Sequence, residues 1–123
     1  IIHATGYKTT MPFLDKTLFD PDQPIGLYRR MLSPDHPGLI FAGLVQPIGP
    51  TIPLVEHQAR WLAAMLAGDI RLPDRATQLR EIARHHNRQR RSYLDTARYA
   101  LEVDFKTYIR QMAADLRRGR AGT

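Results

Sequence analysis

Apolar positions follow two regimes along the chain. Up to about residue 53 they come in short runs broken by Pro and Gly, and beyond it they recur every three or four residues. The first regime predicts short strands and turns; the second predicts helices. Residues 1–4 (Ile-Ile-His-Ala) read as a short strand, and Gly6 allows a turn directly after it. Residues 8–24 read as irregular, because Met11, Asp20 and Gln23 each precede a proline that pushes them away from helix. Residues 27–32 are a second strand segment, and the turn-forming Ser-Pro-Asp-His-Pro-Gly stretch at 33–38 follows it. Residues 39–45 are the clearest strand, being continuously apolar or small, the pattern of a strand covered on both faces.

A rigid connection, Gln46-Pro47-Ile48-Gly49-Pro50-Thr51-Ile52-Pro53, leads into the helical half. A helix is predicted over 53–67, with Pro53 at or near its first position and Gly68 as its stop. At 100° per residue, Leu54, Val55, Ala59, Trp61, Leu62, Ala63, Met65 and Leu66 fill a wide apolar arc. Glu56, His57 and Arg60 form its narrow polar edge, with Glu56 and Arg60 placed to pair. So wide an arc describes a mostly buried helix. Gln58 sits inside that arc, and a buried amide left unpaired costs about 1–3 kcal/mol, so it requires a specific partner. A second helix starts after Asp74 as N-cap, with Ala76, Leu79, Ile82, Ala83 and His86 as a narrow stripe and Arg80, Arg84, Arg88 and Arg91 opposite. A third is predicted over 104–118, on the spacing of Phe105, Tyr108, Ile109, Met112, Ala113 and Leu116, closed by Gly119. Residues 92–103 fit either helix or loop.

Composition narrows the chemistry. The chain has 123 residues, the size of one domain, and no Cys, which excludes disulfides, thiolate nucleophiles and Cys-ligated zinc. The five His residues (His3, His36, His57, His85 and His86) have no spacing with carboxylates that suits a metal, and none is expected. No basic leader with an apolar run precedes the first strand, and no apolar stretch reaches the ~18 residues of a membrane span. The expectation is a soluble, cytoplasmic protein that begins partway through a larger fold. The net charge of +6 is uneven: residues 1–69 carry a net of −1 and residues 70–123 a net of +7. Such a basic half suits either a solvated helical face or a docking surface for nucleic acid, an anionic membrane surface or an acidic partner.

Residues 39–45, the Gly/Pro connection and the buried helix form a strand–loop–helix unit. A helix N-terminus carries unpaired N–H groups and about half a positive charge, and a loop without bulky side chains lets a flat anionic or polarisable group come close. The unit lacks Gly-x-Gly-x-x-Gly, so the pyrophosphate fingerprint itself is absent.

The wording of these segments resembles the flavin-containing monooxygenases. Ala4-Thr5-Gly6-Tyr7, then Pro12-Phe13-Leu14 and Leu27-Tyr28, are similar to that family's ATGY segment and its sequel. Gly43-Leu44-Val45-Gln46-Pro47-Ile48-Gly49-Pro50 resembles its GL-x-QP-x-G loop, Glu56-x-Gln58-Ala59-Arg60-Trp61 its E-x-QARW helix, and Gly68 with Leu72-Pro73 the exit from it. The resemblance runs from residue 1 to about residue 73 and thins beyond. It implies an α/β fold: short strands from the C-terminal part of an FAD-binding, Rossmann-like domain over 1–73, and a basic helical extension over 74–123, with about three helices in all. It also implies FAD and NADPH as cofactors, and transfer of one oxygen of O2, through a flavin hydroperoxide, to a soft nitrogen or sulfur nucleophile. Carried over by position, Thr5, Gly6, Gln46, Gly49 and Thr51 are the residues nearest the flavin.

Neither glycine-rich fingerprint nor the family's F-x-G-x-x-x-H signature occurs in the chain. The expectation is therefore a C-terminal portion that by itself neither holds FAD tightly nor turns over. Baeyer–Villiger monooxygenases, which act on ketones, share the ATG segment and cofactors, but the Gln-Pro loop favours the branch that oxidises amines and sulfides. From a different class, the basic helices could form a nucleic-acid-binding or interaction module. No helix-turn-helix spacing is visible and aromatics are sparse among the cations, so nucleic acid is not expected. A homo-oligomer is compatible with the apolar surface.

Overall fold

The computed structural model describes residues 1–3, 9–92 and 102–121. Among them stand five elements: β1 (Gln46–Ile48), α1 (Thr51–Leu66), α2 (Arg75–Ser92), β2 (Glu102–Asp104) and α3 (Phe105–Ala121). This is an α/β mix, with three helices around a two-stranded sheet. β1 and β2 run parallel, with Gln46 opposite Glu102 and Ile48 opposite Asp104.

The helices start and stop for local reasons. Asp74 caps α2 as expected, its Oδ1 accepting the Thr77 N–H at 3.0 Å. Asp104 does the same for α3, accepting the Thr107 N–H at 2.7 Å. α1 ends where Gly68 takes φ 86°, a left-handed value that suits glycine, and the Asp69 N–H reaches back to the Ala64 carbonyl at 2.9 Å. α1 begins at Thr51, two residues ahead of Pro53, because a proline anywhere in the first turn removes only an N–H that had no partner.

The predicted strands do not form as written. Residues 1–3 have no regular structure, and Ile1 and Ile2 stand in solvent. Residues 27–32 fold back on themselves: Tyr28 pairs with Leu32 around a turn whose central residues, Arg29 and Arg30, sit at φ 52° and 61°. That is the left-handed pair of a mirror-image turn, which glycine and asparagine usually supply. Residues 39–45 keep one bridge, Leu32 to Ile40, and then bend at Gly43, with φ 78°. The Gly43 N–H goes to a side chain, so the extended run has no ladder to join. Regular pairing starts one residue later, in the Gln-Pro loop itself. Residues 93–101, within the 92–103 stretch left open by the pattern, lie outside the described residues; Glu102–Asp104 form the unpredicted β2. Gly119 does not close α3 but lies inside it, packed against the Asp69 backbone.

One core joins both halves of the chain. Tyr28, Met31, Leu32 and Val45 pack with Leu54 and Trp61 of α1, Ile82 of α2, Val103 of β2, and Tyr108 and Met112 of α3. A smaller cluster of Phe19, Leu27 and Phe41 sits beneath the irregular segment, the two rings 5.8 Å apart. No helix among the described residues is long and apolar enough to cross a membrane.

Candidate functional site

Three of the five predicted site residues, Gln46, Gly49 and Thr51, fall on one continuous edge: β1, the bend after it and the first residue of α1. All three are exposed. Thr5 and Gly6 lie outside the described residues. Gly49 takes φ 141°, which L side chains rarely adopt, and sits against the Phe105 ring.

The start of α1 is bare. Pro50 occupies the cap with extended backbone and offers no side-chain oxygen, and the first turn holds no acidic residue. The N–H groups of the first turn and their partial positive charge therefore face outward uncompensated. Ile48 and Ile52 flank this end, 63% and 83% exposed. Bare donors between two exposed isoleucines suit a group that is apolar in its body and polar or anionic at its edge. Phosphate-like ions alone would leave the isoleucines in water.

A buried hydrogen-bond chain holds the loop that leads to this edge. Gln58 is fully buried on α1. Its Oε1 accepts the Gly43 N–H at 2.9 Å, and its Nε2 donates to the Tyr108 hydroxyl at 2.8 Å. Tyr108 in turn donates to the Arg29 carbonyl at 2.6 Å. The partner that the sequence demanded for Gln58 is thus the bend at Gly43 on one side and α3 on the other. Burial pushes the Tyr108 hydroxyl up to about 12, with the Gln58 bond opposing it, so it remains a proton donor.

Arg29 ties the same region from below. Its Nε donates to Asp115 Oδ2 at 2.7 Å, Nη2 to Oδ1 at 3.1 Å, and Nη1 reaches Glu81. Trp61 Nε1 also donates to Asp115, at 3.0 Å. Burial pushes the Asp115 carboxyl up, but the hydrogen bonds and charge of Arg29, with Arg118 and Trp61, outweigh it and hold the group below the usual carboxylate range. Tyr108, Arg29 and Asp115 were not singled out from sequence as site residues. The available signal was the Arg29-Arg30 pair inside an apolar run, since buried cations require partners. Among the described residues no group of three His, Asp or Glu could hold a metal ion.

Known proteins are similar to this chain along most of its length. A family model for flavin-binding monooxygenase-like proteins matches residues 1–118. The chain is 32% identical over 119 residues to dimethylaniline monooxygenase (N-oxide-forming) 2 of Rattus norvegicus, covering 94% of this chain and 22% of that protein. It is 29% identical over 115 residues to flavin-containing monooxygenase 5 of Oryctolagus cuniculus and of Homo sapiens, covering 92% of this chain and 22% of each. The chain therefore spans about a fifth of the length of the curated relatives it matches.

Proposed function

This chain belongs to the flavin-binding monooxygenase-like family, and from that premise we propose that it forms the flavin-facing edge of an FAD- and NADPH-dependent monooxygenase acting on soft nitrogen or sulfur nucleophiles with O2. The observation that carries this reading is the uncapped N-terminus of α1, set between exposed Ile48 and Ile52 and reached through Gln46 and Gly49. The residues present fit an isoalloxazine edge. A small, exposed bend would admit a flat ring, Ile48 and Ile52 would supply apolar contact, and the helix end would favour a polar or negatively charged edge.

When bound, the flavin supplies the redox chemistry that moves electrons from NADPH to dioxygen. The chain's own contribution is placement and electrostatics. The N–H groups of Thr51 and Ile52 favour negative charge beside them. The Gln46 amide can donate to or accept from a ring heteroatom. Gln58 and Tyr108 fix the bend at Gly43, so these groups are held before the cofactor arrives. Residues 1–73 act as the C-terminal part of the flavin-binding domain and 74–123 as its helical extension. The 123 residues contain neither glycine-rich fingerprint, so the chain alone should neither retain FAD nor oxidise NADPH.

The test is Thr51→Asp in the complete protein. A carboxylate at the first position of α1 opposes negative charge on the reduced ring. It should lower the flavin midpoint potential by tens of mV, on the scale of a helix-end charge effect, and slow NADPH oxidation in the presence of an amine or a sulfide. An unchanged potential and visible spectrum would remove α1 from the flavin site.

A further inference from the structure

Among the described residues, Arg30 is a cation whose surroundings do not balance. It sits at φ 61° and is half-buried, with its Nε fully enclosed and lacking a hydrogen-bond partner. Among the described residues its guanidinium makes one hydrogen bond, from Nη1 to the Leu27 carbonyl at 3.3 Å. No carboxylate among the described residues pairs with it; Asp115 and Glu81 are both taken by its neighbour Arg29. A desolvated cation without an anion is costly, and a strained backbone that presents it adds to the cost. Burial pulls its guanidinium down to about 10; Tyr108 opposes this, and the like charges of Arg29 and Arg88 add smaller contributions to the fall. His85 beside it falls to about 3, from burial and then from Arg30, His86 and Arg88. Burial leads both shifts, and neighbouring positive charge adds to each.

Arg30 lines a cleft of about 450 Å³ between α2, β2 and the start of α3. Arg84 stands exposed at its mouth with no partner among the described residues, while the Thr107 side chain is bonded to Asp104. Two carboxylates also line the cleft, but both are engaged: Glu81 with Arg29 and Gln111, Asp104 with the Thr107 N–H. We propose that this cleft binds a phosphate-bearing small molecule, with Arg30 as its anchoring cation and Arg84 as a further donor. A phosphate offers three or more acceptor oxygens to converging donors, where one carboxylate offers two. The cleft is separate from the α1 edge; only Ile48 of β1 reaches it.

The experiment is calorimetric titration of the full 123-residue chain with inorganic phosphate, in chloride buffer at constant ionic strength. Saturable one-to-one binding is expected. Arg84→Gln, an exposed change that leaves the core alone, should weaken it on the order of tenfold, the scale of one charge-assisted bond. Arg30→Met should abolish it and also raise the thermal midpoint in phosphate-free buffer, because the unpaired cation is gone. Adenosine monophosphate titrated in parallel separates two sources of the same chemistry: tighter binding than phosphate points to a phosphorylated organic ligand, and equal binding to free phosphate. Absence of saturable binding by the wild-type chain, or affinity unchanged by Arg84→Gln and Arg30→Met, would overturn the proposal.

Discussion

Removing one oxygen atom tests whether the loop before the proposed flavin-facing edge is held from the far end of the chain. Tyr108→Phe keeps the ring in the core and deletes the hydroxyl that receives Gln58 and donates to the Arg29 carbonyl. Both partners are buried, and Gln58 has no exposure at all. Each group left without a partner costs about 1–3 kcal/mol, less the recovered cost of burying the hydroxyl, so the net loss should be roughly 2–4 kcal/mol. For a chain of this length that corresponds to a fall in Tm on the order of 10 °C. Urea unfolding followed by fluorescence measures it directly, because Trp61 is the single tryptophan and sits fully buried in the same core. Gln58→Met supplies the second arm. Alone it strands the Gly43 N–H and should cost about 1–3 kcal/mol. Combined with Tyr108→Phe it should cost less than the two losses added, by ~1 kcal/mol or more, because the Gln58–Tyr108 bond can be lost only once. Strict additivity, or a Tyr108→Phe variant within about 0.5 kcal/mol of wild type, would refute a connected chain from Gly43 to Arg29.

Two further outcomes follow from packing and charge. Gly119→Ala should destabilise the protein even though alanine is the better helix former by about 1 kcal/mol, because its Cβ would stand 2.1 Å from the Asp69 carbonyl oxygen; a gain in stability would show that α3 can shift away from that backbone. Asp115 has its folded-state pKa held below the ordinary value, so its contribution is present above the unfolded carboxylate range and is lost as pH falls below about 4; Asp115→Asn should cost on the order of 2–3 kcal/mol at neutral pH by weakening the bonds of Arg29, which keeps Glu81, and should flatten the acid limb of a stability–pH curve that stays steep in wild type.

The helices were legible in the sequence because their periodicity and caps are local. Asp74, Gly68 and the wide apolar arc around Trp61 act within a few residues of themselves. Gln58 was legible as a demand, an amide inside an apolar arc, although its partners Gly43 and Tyr108 were not. The strands misled because a run such as 39–45 is apolar for reasons other than sheet pairing. Leu39 and Phe41 serve the small cluster with Phe19, Val45 serves the main core, and Gly43 turns the run before a ladder can form. β2 was invisible since Glu-Val-Asp has no strand pattern of its own; register with Gln46–Ile48 creates it. The left-handed turn at Arg29 and Arg30 also lacked a signal, because neither residue prefers that conformation.

The chain that fastens the Gly43 bend closes over long stretches of sequence. Gln58 and Tyr108 lie 50 residues apart, Arg29 and Tyr108 79, and Arg29 and Asp115 86. During synthesis the loop and α1 emerge well before α3 exists to receive them. Until then Gln58 has no buried hydroxyl to donate to, Arg29 has no Asp115, and the apolar side of α1 waits in water. Contacts of such separation form late and slowly. The edge proposed to face the cofactor is therefore among the last parts of this fold to be finished, and a nascent chain stalled before Tyr108 would hold every residue of that edge without the structure that aims it.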